Sequence, residues 1–179
     1  MKSLTHYIQE KLMIKKNKNI SYKYFPKTKE ELESIIKQRI KQEGNEVDMN
    51  DIDVSKITDM SNLFYGYWNF TGDISKWDVS NVTDMSYMFY DCISFNQDIS
   101  GWDVSNVKDM GDMFYDCESF NQDISSWDVS GVKSMYGMFY MCNNFNQDIS
   151  IWDVSNVKHR GGMFENCPIE EKYKPKFNI

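Results

Sequence analysis

Residues 95–107 read FNQDISGWDVSNV, residues 120–132 read FNQDISSWDVSGV and residues 145–157 read FNQDISIWDVSNV. The segment FTGDISKWDVSNV at 70–82 is a fourth, more divergent copy, so Trp77, Trp102, Trp127 and Trp152 stand 25 residues apart. A fixed period of this length means that one structural unit is repeated and that each copy buries its apolar side against the next. The chain is therefore expected to be a stack that presents a surface to a partner.

Within one copy, Ile74, Trp77 and Val79 are apolar while Asp78 and Ser80 fall between or beyond them, which predicts a short strand. Val82, Met85, Met88 and Phe89 then step by three and four, and Asn81 with Asp84 offers a capping-box-like start, which predicts a short helix. A return loop carries Cys92, Phe95 and Asn96 into the next copy. Asp48 to Ser55 aligns with Asp73 to Ser80, with Ile52 in the Trp place, so five turns begin near Met49, Ile74, Ile99, Ile124 and Ile149. Identical strands joined by crossovers lie parallel. The expected fold is an α/β solenoid, a leucine-rich-repeat-like stack of five strand–short helix turns with a parallel sheet, capped by an N-terminal helical segment.

Outside the repeats, Leu4, Tyr7, Ile8 and Leu12 predict a short amphipathic helix opening at Ser3, and Ser21 to Phe25 alternates as a strand stopped by Pro26. Thr28 and Glu31 have capping-box spacing, Leu32, Ile35, Ile36 and Ile40 form one apolar stripe, and Gly44 is placed to end that helix. After residue 157 the pattern decays, with Arg160 in a Met place, Gly161 and Gly162 following, and Pro168 and Pro175 beyond. The expected organisation is a basic helical N-terminal cap over 1–47, a five-turn repeat over 48–167 and a C-terminal cap or tail over 168–179.

The run FNQDISxWDVSNVxxMxxMFxxC resembles the BspA-like repeat of bacterial surface proteins and Mycoplasma lipoproteins, and I-x-x-W-D-V-S-N is similar to the leucine-rich-repeat strand pattern. The resemblance spans residues 48–167 and implies a leucine-rich-repeat-like stack used for binding, without chemistry of its own. The opening MKSLTHYIQEKL is similar to short headers on proteins of phages that infect gut bacteria.

Charge narrows the partner. Residues 1–47 hold 11 Lys and Arg against 6 acids, whereas residues 48–179 hold 9 against 21. The acidic body repels a phosphate backbone, which argues against nucleic acid as the ligand. No apolar run approaches the length of a membrane span and no signal peptide is visible, so a cytoplasmic protein is expected.

Asp53, Asp78, Asp103, Asp128 and Asp153 form one series on the expected outer sheet face, beside Ser80, Ser105 and Ser130. Carboxylates stacked about 5 Å apart repel by roughly 1 kcal/mol in water, so something must offset the ladder. It either grips cations or a basic partner, or each Asp accepts hydrogen bonds from its neighbours and sets a turn. Tyr67, Trp68 and Ile151 break the repeat plan and are candidate partner-binding anchors. Tyr87 and Tyr136 also vary, and Met141 stands in an Asp place. Cys92, Cys117, Cys142 and Cys167 recur at the same interval, which suits buried free thiols better than a zinc site that needs converging close pairs. Neither His6 nor His159 lies in a catalytic or metal motif. No catalytic residue, metal or cofactor is expected. The function expected is a non-catalytic recognition module, monomeric, binding an unidentified and basic protein through the acidic sheet face. A structural or assembly component, phage-encoded or surface-displayed, is the alternative, and a cation-binding stack is the second.

Overall fold

Apolar pairs three residues apart organise the backbone of every repeat. The Trp77 N–H donates to the Ile74 carbonyl, Val82 to Val79, Met88 to Met85, Cys92 to Phe89 and Phe95 to Cys92, at 2.9–3.2 Å. Each of these bonds closes a β-turn. All nine side chains at the ends of these turns are at most 2% exposed. Successive turns are thus corners of one irregular coil, and each corner points its first and last side chain inward.

The computed structural model describes residues 21–177, so the helix expected near Ser3 lies outside the described residues. Within them the secondary structure is one α-helix, α1 (Lys29–Glu43), and one 3-10 helix, Glu171–Tyr173. This corrects the expectation of a leucine-rich-repeat-like α/β solenoid. No strand, no sheet and no repeat helix is present among the described residues. Neighbouring coils share a single parallel bridge each, Asp59↔Asp84, Asp84↔Asp109, Asp109↔Ser134 and Ser134↔His159, and Tyr24↔Ile52 is all that forms of the strand expected at 21–25.

The cause is local. In the strand expected at 74–79, Asp73 and Asp78 turn the chain by accepting from the N–H groups of Ser75 and Ser80 at 2.9 and 3.2 Å. Such Asp-to-backbone bonds compete with a ladder. In the segment expected to be helical, Met85, Tyr87, Phe89 and Asp91 donate their N–H groups to Asp109, Gly111, Met113 and Tyr115 of the next coil, at 2.8–3.0 Å. Those amides are not free for an i→i−4 helix. Two residues of every coil also adopt left-handed backbone: Asn62 and Gly66, Tyr87 and Asp91, Asp112 and Asp116, Gly137 and Met141, Gly162 and Asn166, with φ of 51–72°. A right-handed helix cannot run through them.

Stacked side chains fill the interior. Phe64, Phe89, Phe114, Phe139 and Phe164 form one column with centroids 5.5–5.8 Å apart. Phe70, Phe95, Phe120 and Phe145 form a second at 5.8–6.2 Å. The indole N–H of Trp77, Trp102, Trp127 and Trp152 reaches the carbonyl of Met49, Ile74, Ile99 and Ile124 at 2.9–3.3 Å, so each coil is bonded through its core to the one before.

Helix α1 forms where its capping residues place it. Thr28 accepts from the Glu31 N–H at 3.3 Å, and the Gly44 N–H closes on the Ile40 carbonyl at 2.9 Å. Leu32 and Ile36 are fully buried in the same core as the first coil. Arg39, only 6% exposed, pairs with Asp51 at 2.8 Å and donates to the Asp48 carbonyl. At the far end the chain after residue 167 folds back along the last coil: the Ile149 N–H donates to Tyr173 at 3.0 Å, and the Arg160 guanidinium lies 4.6 Å from the Phe177 ring.

Candidate functional site: a tyrosine ladder with flanking carboxylates

The Asp series sets turns, with Asp53, Asp78 and Asp103 half-buried and Asp128 and Asp153 exposed. Oδ1 of Asp53, Asp78, Asp103, Asp128 and Asp153 accepts the backbone N–H of the Ser two residues on at 3.0–3.2 Å. In the first four the Ser55, Ser80, Ser105 and Ser130 hydroxyl donates to the same oxygen at 2.6 Å. The carbonyls of Ser80 and Ser130 accept from Asn106 and Asn156 of the next coil. These residues turn the chain and tie coils together. With no sheet present, the acidic sheet face is withdrawn.

Of the residues that break the repeat, Tyr67 is half-buried, edge-on to Phe64 at 6.1 Å, where later coils place a Cys. Burial, with Glu33 and Cys92 nearby, pushes its hydroxyl pKa up. Trp68 is 59% exposed and its indole N–H donates to Asp91 at 2.6 Å. Ile151 is 75% exposed but lies in the last coil, beside the buried Trp152, on a different stretch of the circuit from Trp68. The structure does not bring Ile151 together with the other two.

It assembles instead a series the sequence reading passed over. Tyr65, Tyr90, Tyr115 and Tyr140 stack face to face, with centroids 4.5–4.7 Å apart and planes within 8°. Each follows a core Phe, so the Phe points inward and the Tyr outward. Tyr87 leans on Tyr90 at 5.9 Å, and Tyr136 shares a cleft with Tyr115 and Tyr140. Tyr65, Trp68, Tyr87 and Tyr136 are four of the six exposed large hydrophobic side chains of the described residues, and three of them touch this ladder or its cleft while Trp68 holds the Asp91 that follows Tyr90. The signal was available as a Tyr recurring after Phe at the repeat interval.

Carboxylates line the ladder. Asp112 is 7% exposed and accepts from the Tyr87 hydroxyl. Burial raises its pKa, the Tyr87 bond opposes the rise, and Asp109 adds to it. Asp116 is raised by burial and by the charges of Asp91 and Glu118, and its Oδ1 is a buried oxygen without a hydrogen-bond partner. The Asp112 charge, with some burial, raises Tyr87, and burial among Tyr115 and Tyr65 pushes Tyr90 up to about 12. Anions at Asp112 and Asp116 are poorly solvated.

The thiols of Cys92, Cys117 and Cys142 are buried, and each donates to a Phe carbonyl of the preceding coil at 2.8–2.9 Å. Burial drives their pKa values well up, so they are unreactive core groups. Among the described residues no group of three or more His, Cys, Asp or Glu side chains gathers as a metal-binding set. No helix among them is long and apolar enough to cross a membrane.

A family model described as "Mycoplasma protein of unknown function, DUF285" matches residues 30–141 and again 102–174. No curated protein and no solved structure matches the chain. The two matches share residues 102–141, as a repeated sequence allows, and together they run from α1 to the 3-10 helix. The chain belongs to this Mycoplasma family of unknown function.

Proposed function

We propose that the protein is a non-catalytic recognition module that binds a basic segment of another protein along its tyrosine ladder. The observation that carries this reading is the continuous row of four stacked phenol rings flanked by the carboxylates of Asp91, Asp112 and Asp116. Aromatic rings give large rigid contact area, and the terminal ring of the row can attract a cation through the face that no neighbouring rung covers. The acidic balance of residues 48–179 draws a basic partner to that surface and makes the association salt-dependent. The thiols of Cys92, Cys117 and Cys142 are buried and most carboxylates recur in series, which favours binding over catalysis. The resemblance of the repeat to BspA-like surface proteins belongs to the same proposal, as does a monomeric state.

The test is an array of immobilised peptides, basic, acidic and neutral, probed with the full chain at low and high salt. Basic peptides should retain the protein at low salt and release it at high salt. The double variant Tyr90→Ser and Tyr115→Ser should lose most of that retention. Equal retention on acidic peptides, or full retention by a correctly folded double variant, would remove the tyrosine face from consideration.

A further inference from the structure

At residue 165 the tyrosine ladder stops. Its rungs are Tyr65, Tyr90, Tyr115 and Tyr140, and the next position in register is Glu165. The backbone itself stays in register there, since Gly137, Phe139 and Met141 donate to Gly161, Met163 and Glu165 at 2.9 Å. The coil is therefore built for a fifth ring, and a carboxylate stands where that ring would be.

Two glycines open the space around it. Gly161 takes the place of Tyr136, and Gly162 takes the place of Gly137. A Cβ on Gly161 would lie 3.0 Å from the Tyr136 ring. A Cβ on Gly162 would lie 3.8 Å from both the Tyr140 ring and the Glu165 carboxylate, so ring and carboxylate converge on one point. The result is a cleft of about 360 Å³ walled by Tyr115, Tyr136, Tyr140, Asp112 and Glu165.

We infer that this cleft is an arginine-binding pocket, in which a partner's guanidinium stacks on Tyr140 as the fifth rung and pairs with Glu165. The inference rests on the proposed function and names the side chain that this face selects. The ring faces above set the geometry: planar groups 4.5–4.7 Å apart already repeat three times along the ladder. A guanidinium is planar, stacks on aromatic faces and meets a carboxylate through a two-pronged fork. An ammonium is a compact, strongly hydrated charge and lacks the plane. Asp112, sunk in the floor of the cleft, adds a second carboxyl group, and a cation in the cleft would favour its charged form. The nearby Arg160 does not fill this role, because its guanidinium is engaged on Phe177.

Tetraarginine amide and tetralysine amide, titrated against the full chain by calorimetry at low salt, provide the test. Tetraarginine should bind the tighter. Glu165→Gln, at an exposed side chain where the fold is not at risk, should weaken tetraarginine by about tenfold and bring the two peptides close together. Tyr140→Leu should do the same, whereas the charge-matched control Glu171→Gln should leave the preference intact. Equal binding of both peptides, or tetraarginine binding indifferent to Glu165→Gln, overturns the pocket while leaving the wider basic-segment reading in place. Binding of neither peptide overturns both.

Discussion

Gly66→Ala distinguishes coils of turns from the helices that apolar spacing suggests, because the two predict opposite signs. Gly66 has φ 72° and nothing within 4 Å of the Cβ that alanine would add, so the substitution changes backbone conformation alone. In a helix, Gly→Ala stabilises by about 1 kcal/mol. In left-handed backbone the added Cβ costs about 1–2 kcal/mol, offset by the roughly 0.4–1 kcal/mol that alanine removes from the unfolded chain's entropy. The net expectation is a loss of about 0.5–1 kcal/mol, read as a drop of roughly 1–4 °C in melting temperature for a chain of this size. Met141→Asn is the mirror experiment. Met141 has φ 56° at the position held by Gly66, Asp91, Asp116 and Asn166, and asparagine should relieve strain by about 0.5–1 kcal/mol. Thermal unfolding followed by tryptophan fluorescence and far-UV circular dichroism reads both. A Gly66→Ala protein at least as stable as the parent would refute the left-handed coil.

Three further outcomes are expected. Phe114 touches Phe89, Phe120, Phe139 and Trp127, so Phe114→Ala should cost about 3–5 kcal/mol in denaturant unfolding, more than any change on the ladder face. Burial raises the Cys92, Cys117 and Cys142 pKa values, so the unfolded chain loses protons first and stability should fall above about pH 8.5, by up to ~1.4 kcal/mol per pH unit for each thiol. Cys117→Ala should flatten that alkaline slope in a pH series of denaturant titrations, and an unchanged slope would exclude the thiol contribution. Asp78→Ala should lower stability by about 1 kcal/mol through the lost Ser80 bonds, yet leave affinity for basic peptides unchanged; a clear loss of affinity with the fold intact would return the Asp series to the binding surface.

Much of the interior is legible in the sequence. The period, the tryptophans, the paired Phe and Met positions and the buried cysteines all follow from an apolar pattern that repeats, and α1 from Thr28, Glu31 and Gly44. Local conformation is not. Apolar residues at i and i+3 are neighbours on a helix, and they are also the two ends of a β-turn; Met85 and Met88 satisfy both. What separates the cases is the residue at the left-handed positions. Gly66, Asp91, Asp116 and Asn166 are turn formers at a place where a helix would favour alanine or leucine. The Asp-x-Ser pairs carried the same message, since an Asp that accepts from the Ser two residues on ends a strand. The ladder was harder to see, because a recurring surface Tyr becomes a stacked column only once the rise between coils is known. The backbone bonds between coils set that rise, and with it in place the Tyr rings meet at 4.5–4.7 Å.

Those bonds also give the stack a direction. At each interface the amides at the positions of Met85, Tyr87, Phe89 and Asp91 point forward, to carbonyls 24 residues on. The last coil therefore presents the amides of Arg160, Gly162, Phe164 and Asn166, and among the described residues no further coil stands ahead of them. The first coil presents the complementary carbonyls of Asp59, Ser61, Leu63 and Tyr65. Helix α1 stands before that coil, and its interior amides are spent within the helix. Lys29 bonds the Asp59 and Ser61 side chains from there at 3.3 and 2.6 Å. Two copies could continue each other's stack only by displacing α1 from the first coil. That step uncovers Leu32 and Ile36, both fully buried, at a cost of about 3–6 kcal/mol before the Arg39 pairs are counted. The donor end cannot pair with another donor end either. Head-to-tail stacking would satisfy the hydrogen-bond polarity of both ends, and what opposes it is helix α1, held over the first coil by Leu32, Ile36 and the Lys29 bonds.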